Sequence, residues 1–153
     1  MTDLDEMAIR PATEEDLPAI VAMLADDPLG ATRESPDGLT PYIAAFKHLA
    51  DAPHQHVVVA VRGDHVVGTL QLTVVPGLSR KGATRSIIEG VRVHADERGR
   101  GLGTRLIQWA VDRSLRENCQ LVQLTSDATR TDAHRFYERL GFTASHVGFK
   151  LSL

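Results

Sequence analysis

Apolar and polar positions along the chain change period several times, and each change marks an element. Met7 to Pro11 reads as a short first strand. Leu17, Ile20, Val21 and Leu24 then recur at helical spacing in "ATEEDLPAIVAMLADDP". Thr13 or Asp16 caps that helix, and Asp16 leaves Pro18 in the first turn, where a missing N–H costs little. "DDPLGATRESPDGLTP" is rich in glycine and proline and reads as loop. "PYIAAFKHLADAP" is a second, short helix exposing Lys47 and His48. The period then falls to two. "HVVVAVRGDHVVGTLQLTVVP" gives two strands that reverse at Gly63–Asp64, a tight-turn pair. After the basic "GLSRKGATR", "SIIEGVRVH" is a further strand. A helix from Leu102 to Glu117 follows, with Ile107, Val111 and Leu115 repeating every four residues beside Leu106 and Ala110. "CQLVQLTS" is a nearly continuous apolar run, the pattern of a strand buried on both faces. In "TDAHRFYERLG", Ala133, Phe136, Tyr137 and Leu140 share one helical face and Gly141 closes the helix. "FTASHVGFKLSL" ends the chain as one or two strands.

The element order is β-α-α-β-β-β-α-β-α-β. An antiparallel meander followed by a strand–helix–strand crossover predicts an α/β chain with a mixed sheet and about four helices packed on it. The 153 residues suit one domain, spanning 1–153, with a genuine core. Composition changes this picture little. A formal net charge of −3 favours neither nucleic acid nor a membrane surface, without excluding a local anion site. Cys119 is the single cysteine, so no internal disulfide is possible and a reducing cytoplasm is the simplest setting. "MTDLDEMAIR" is acidic and lacks the apolar run of a signal peptide, and no segment has the ~18 consecutive apolar residues of a membrane span.

The candidate chemistry sits in "ERGRGLGTRL", where Gly99, Gly101 and Gly103 alternate with Arg100 and Leu102 at the start of a helix. A helix N-terminus presents unpaired N–H groups and partial positive charge, and glycine lets phosphate oxygens approach the backbone. Arg98, Arg100 and Arg105 add charge nearby. The plainer reading is a tight surface turn that uses glycine for its dihedral freedom. A nucleotide triphosphate loop is excluded, because its lysine is missing. The dinucleotide pattern G-x-G-x-x-G fits weakly: the third glycine comes one residue early, although Asp127 lies near the distance of a ribose-binding acid.

"RGRGLG", from Arg98 through Gly101 to Gly103, fits R-x-x-G-x-G better, and with it this stretch resembles the acyl-CoA pyrophosphate loop of the GCN5-related N-acetyltransferase (GNAT) family. "IIEGVRVHADERGRGLG" resembles that family's fourth strand and loop, "DAHRFYERLGF" its closing helix, "IRPATEEDLPAI" its opening strand and helix, and "HVVGTLQL" its third strand. The likeness covers nearly the whole chain except residues 26–55. It implies the acyl-CoA N-acyltransferase fold, a mostly antiparallel sheet with a parallel pair at the CoA cleft. It also implies direct transfer of acetyl from acetyl-CoA to a primary amine, with no acyl-enzyme and no metal. Amides from Arg98 through Gly99, Arg100, Gly101, Leu102 and Gly103 to Thr104 would hold the pyrophosphate. Main-chain groups from Val91 through Arg92 to Val93 would pair with the pantetheine arm as an added strand, with the Val91 amide on the developing oxyanion. Tyr137 matches the proton donor to the CoA thiolate, although its helical face also suits simple packing. Arg130 stands where many relatives carry a pantetheine-binding asparagine.

Glu89 is the candidate base. Strict alternation places it in register with Ile87, Val91 and Val93, where a carboxylate is out of place, and Gly90 permits a bulge that aims it into a cleft. The alternative is a salt-bridged or solvated edge glutamate. Cys119 reads as a small core residue, Trp109 as packed on the sheet, and His54 with His56 as a pair lacking a third ligand. Arg33, Glu34, Tyr42 and Phe46 are candidates to line an acceptor site, and Arg80, Lys81 and Arg85 form a basic hairpin tip. The expected acceptor is a small-molecule amine. A peptide or protein N-terminus is the enzymatic alternative, and a non-catalytic acetyl-CoA-binding regulatory module the alternative from another class. The family likeness also implies a homodimer.

Overall fold

A computed structural model describes residues 6–153; the acidic start of the chain, residues 1–5, lies outside them. The chain forms two compact units, one running to Gln123 and the other Leu124–Leu153. In the first, β1 (Met7–Pro11), β2 (Gln55–Arg62), β3 (His65–Val75) and β4 (Arg85–Val93) form an antiparallel meander, and β5 (Leu121–Leu124) joins β4 as a parallel neighbour. This is the mixed sheet that the element order predicts. Arg62 pairs with His65 across the Gly63–Asp64 turn, so the two-residue hairpin lies where the sequence places it.

Two layers of helix cover this sheet. On one face lie α1 (Leu17–Ala25) and α3 (Thr40–Asp51): Leu17 and Ile20 pack on Val59, with Ile43, Phe46 and Val57 around them. Asp16 starts α1 from a 3-10 turn, its carboxylate accepting the Thr13 N–H at 2.8 Å, so both candidate caps take part. On the other face α5 (Leu102–Arg116) lies close to β3, because a Cβ on Gly68 would stand only 3.1 Å from Leu106 and 3.3 Å from Leu102. The small residue sets the depth to which the helix docks. Leu70, Leu72, Ile88, Leu102 and Leu106 are fully buried there.

Several details depart from the sequence reading. The stripe that α5 buries is Leu102, Leu106, Ala110 and Ser114, with Ile107 beside it, while Leu115 is exposed. Ser114 is tolerated in the core because its hydroxyl donates to the Ala110 carbonyl and accepts from Ser86, both at 2.7 Å. The stretch read as loop before α3 contains a one-turn helix, α2 (Gly30–Arg33), and the hairpin tip contains another turn, α4 (Ser79–Gly82). These two single turns raise the expected four helices to six. Arg80 and Lys81 hold φ of 53° and 62°, so α4 is left-handed. β5 is not buried on both faces: it has four residues, none buried, at the end of the strand order.

The second unit holds α6 (Thr131–Arg139), closed as predicted by Gly141 at φ 95°. None of its residues is buried. Residues 142–153 enter no strand, which overturns the expected terminal strands. Their alternation is that of a strand, but strand structure needs a ladder of backbone partners as well as a pattern.

Candidate active site

The glycine-rich loop adopts backbone that its sequence makes cheap. Gly99 and Gly101 have φ of 78° and 84°, left-handed values that cost a residue with a Cβ roughly 1–2 kcal/mol. Gly101 is the N-cap of α5, and its carbonyl accepts the Arg105 N–H at 3.1 Å. The amides of Leu102, Gly103 and Thr104 thus precede the first bond of a 15-residue helix and face its N-terminal end. Gly103 sits within that first turn, where its value is the lack of a side chain beside those amides.

The preceding strand is bulged. Gly90 has φ of 61°, and the β3–β4 register slips between Gln71↔Glu89 and Thr69↔Arg92. The extra residue changes the facing pattern that strict alternation predicts: Glu89 shares its face with Ile87 and, past the bulge, with Arg92, not with Val91 and Val93. That face is the one covered by α1 and α3, and Glu89 is exposed on it. Beside it Gln55 Oε1 accepts from Gln71 Nε2 at 3.1 Å and Thr73 Oγ1 at 2.8 Å. Sequence reasoning missed this polar row, although alternation in "GTLQLTV" places Thr69, Gln71 and Thr73 together. Gln120 N–H bonds the Thr84 carbonyl at 2.8 Å, and β5 ends at Leu124. The same number of residues along β4 reaches Ile88, so Glu89–Val93 extends beyond β5.

Arginine–carboxylate pairs hold this frame. Glu97, buried in the 3-10 turn before the loop, accepts from Arg62 Nε at 3.1 Å and Nη2 at 3.0 Å, with Arg100 at 3.7 Å. The Arg62 hydrogen bonds hold its carboxyl below the usual glutamate range against the opposing effect of burial. On the neighbouring strand β1, Arg10 grips Asp16 at 2.7 and 3.0 Å, and this pairing lowers the Asp16 carboxyl likewise. Arg92 pairs with Asp27 at 3.3 Å and donates to the Val91 carbonyl at 2.9 Å. Neither Glu97 nor Asp27 stood out in the sequence, because their arginine partners are remote in it.

The loop arginines are partly committed elsewhere. Arg98 reaches Asp26 and the Val93 carbonyl, and Arg105 donates to the Met7 carbonyl at 3.0 Å, tying α5 to β1. Of the suggested acceptor residues, Glu34 and Tyr42 come together at Ser35: the Tyr42 hydroxyl accepts the Ser35 N–H at 2.8 Å and donates to Glu34 at 3.4 Å. Phe46 instead packs on the core. Burial raises the Cys119 thiol, with Glu117 adding to it, so the thiolate is disfavoured.

In the second unit, the half-buried Tyr137 ring meets Phe136 and Phe142 edge-on, with centroids 5.1 and 5.9 Å away. The packing reading of its face is therefore realised within that unit. Arg130 is the N-cap of α6, and Asp127 Oδ1 accepts the Thr129 N–H and hydroxyl at 2.9 and 2.6 Å. Asp127 thus shapes the turn before α6. No helix of the described residues is long and apolar enough to cross a membrane.

A model of the acetyltransferase (GNAT) family matches residues 17–142. The chain is 34% identical over 101 residues to the aminoalkylphosphonate N-acetyltransferase of Salmonella typhimurium, across 66% of this chain and 65% of that protein's length. It is 30% identical over 158 residues to the glucosamine 6-phosphate N-acetyltransferase of Trypanosoma brucei brucei, across 100% of both. A solved structure described as a transcriptional regulator from Bacillus halodurans C-125 superimposes with a TM-score of 0.93 at 46% identity, covering 96% of this chain and 99% of that one.

Proposed function

The chain belongs to the acetyltransferase (GNAT) family, and on that premise we propose that it moves the acetyl group of acetyl-CoA to the primary amine of a small molecule. We take it to act as one catalytic domain, in the cytoplasm and as a homodimer. The observation that carries this reading is the cradle at Gly99–Gly101, left-handed backbone opening onto the first amides of a long helix. A pyrophosphate fits such a cradle, since a Cβ at either glycine is strained and the helix end favours negative charge.

Acetyl-CoA, when bound, supplies an activated thioester carbonyl. The amides from Gly99 to Thr104, with Arg98 and Arg100 near them, hold its phosphates. The main chain from Val91 to Val93, on the part of β4 that extends beyond β5, pairs with its extended arm. The Val91 N–H polarises the carbonyl, and Arg92, braced by Asp27, keeps that backbone in shape. Glu89 takes the proton of the incoming amine, directly or through water, aimed by the Gly90 bulge. The Tyr137 hydroxyl returns a proton to the departing sulfur, and Arg130 contacts the arm or a phosphate. The names of two relatives support an acceptor bearing a phosphorus oxyanion, since both describe such amines.

A thermal shift tests the donor. Acetyl-CoA should raise Tm, and Gly101→Asp should abolish the rise; no shift with acetyl-CoA or CoA overturns the reading. Thiol release is then measured against an amine panel that includes 2-aminoethylphosphonate, glucosamine 6-phosphate, amino acids and polyamines. Tyr137→Phe should lower turnover about 100-fold with CoA affinity nearly unchanged. The Bacillus halodurans protein's description favours a second reading, an acetyl-CoA sensor without turnover. Donor binding with no acetylated product across the panel would select it.

A further inference from the structure

Four arginines stand on the strands of the sheet: Arg10 on β1, Arg62 on β2, and Arg85 and Arg92 on β4. All are half-buried, and three face a carboxylate, those of Asp16, Glu97 and Asp27 respectively for Arg10, Arg62 and Arg92. Arg85 is the exception. Its Nε is fully buried without a hydrogen bond, and among the described residues no carboxylate lies within ion-pair distance of it. A guanidinium cannot shed its proton to relieve that burial, so the position calls for an anion. Register places it on the face of the candidate base. Arg85, Ile87 and Glu89 alternate onto one side of β4, opposite Val75, Thr73 and Gln71. Thr73 and Gln71 both donate to Gln55 Oε1, which leaves much of the hydrogen-bonding capacity of these neutral groups unused. Gly77 leaves room beside the guanidinium, since a Cβ there would lie 3.9 Å from Arg85 Nη1.

We propose that Arg85 selects the acceptor, by receiving an oxyanion carried on the amine whose nitrogen Glu89 deprotonates. The proposal rests on the acetyl-transfer reading above and names the residue behind its acceptor class. The donor's own phosphates do not compete for this arginine. They belong to the loop after Val93, and Arg85 stands at the opposite end of the same strand, roughly 26 Å away. Arg85 and Glu89 are separated by roughly 13 Å of strand. Two long side chains share that distance with the acceptor, so its amine and its oxyanion sit at opposite ends of the molecule. Its polar body then lies over Thr73 and Gln71. A guanidinium suits this task because two parallel N–H groups match two oxygens of a phosphate, phosphonate or carboxylate. A neutral amine would leave the buried cation unpaired.

Isothermal titration in the presence of CoA tests this without turnover, on two matched pairs. Glucosamine 6-phosphate is compared with glucosamine, and 2-aminoethylphosphonate with ethanolamine. The unaltered chain should bind the anionic member of at least one pair at least about 10-fold more tightly. Arg85→Gln should reduce that preference to within about 3-fold, and Arg85→Lys, which keeps the charge but loses the fork, should fall between. Lys81→Gln, at the exposed tip of the hairpin, should keep the preference within about 3-fold of the unaltered chain. Without ligand, Arg85→Gln should melt no lower, since it buries one unpaired charge fewer. No preference in either pair, or an equal loss in Lys81→Gln, would overturn the proposal. So would an Arg85→Gln chain whose acetyl-CoA affinity falls as far as its acceptor affinity, because the guanidinium would then serve the donor. A preference that depends on Arg85, with no acetylated product from any amine, would overturn the transferase reading and leave the oxyanion site standing.

Discussion

α5 and α6 are both amphipathic helices, each entered from a loop and each with an apolar face legible in the sequence. α5 buries five of its residues against the sheet, among them Leu102 and Leu106. α6 buries none, and the tail that follows it is exposed throughout apart from the half-buried Phe142. Pattern is therefore not what separates the two regions. What differs is the supply of a facing surface. α5 meets a four-stranded meander with a glycine at the contact point, while Phe136, Tyr137 and Phe142 find mainly one another within their unit. An amphipathic face states that something should cover it and leaves open what does.

The largest effect expected from this contrast comes from cavities. Leu106→Ala should cost about 4 kcal/mol in urea unfolding, because Leu106 is fully buried between α5 and β3. Phe136→Ala, removing a larger but half-buried side chain, should cost the isolated chain less than about 1.5 kcal/mol. Equal costs would break the comparison.

Next in size are the ion pairs. Glu97→Ala should cost about 3 kcal/mol, since it leaves Arg62 without its buried partner, whereas Asp132→Ala, at the exposed pair with Arg135, should leave the unfolding midpoint where it was. Glu97, together with Asp16, gives the first unit an acid limb. Glu97 and Asp16 lie below their ordinary 4.5 and 3.8 in the fold, so the unfolded chain binds more protons as pH falls. Their contribution is complete above those ordinary values and is lost as pH drops through the lowered ones. Tm measured from neutral pH downward should show this decline, and Glu97→Gln with Asp16→Asn should flatten it.

The smallest effect concerns exposure of another kind. The first unit also displays an exposed segment, the left-handed turn at Arg80 and Lys81, where the cost is backbone strain and not uncovered apolar surface. Lys81→Gly should raise stability by about 1 kcal/mol. Unchanged stability would show that the turn relaxes freely in solution.

Much of this was legible in the chain itself. β1 has the bounds read from it, the β2–β3 reversal lies at Gly63–Asp64, α5 starts at Leu102, and the glycine loop stands at its head. These features depend on neighbours in sequence: turn chemistry, caps and the period of apolar residues. The candidate site was legible to the same depth. Its glycines and the bulge at Gly90 were readable because glycine advertises unusual backbone, but the side on which Glu89 then stands was not. One inserted residue reverses every facing beyond it, and its exact pairing is a property of two strands.

The sequence by itself determined the order and type of the main elements, the family and the glycine-rich loop at the head of α5. Only the tertiary structure decided that Ser114 enters the core while Leu115 leaves it, because the docking angle over Gly68 selects which of two adjacent helical stripes is covered. It also decided that Glu97 is gripped by Arg62, a partner 35 residues away along the chain. And it left "HVGFKLSL" without a ladder. Strand pattern is written locally, but a strand exists only where another backbone pairs with it.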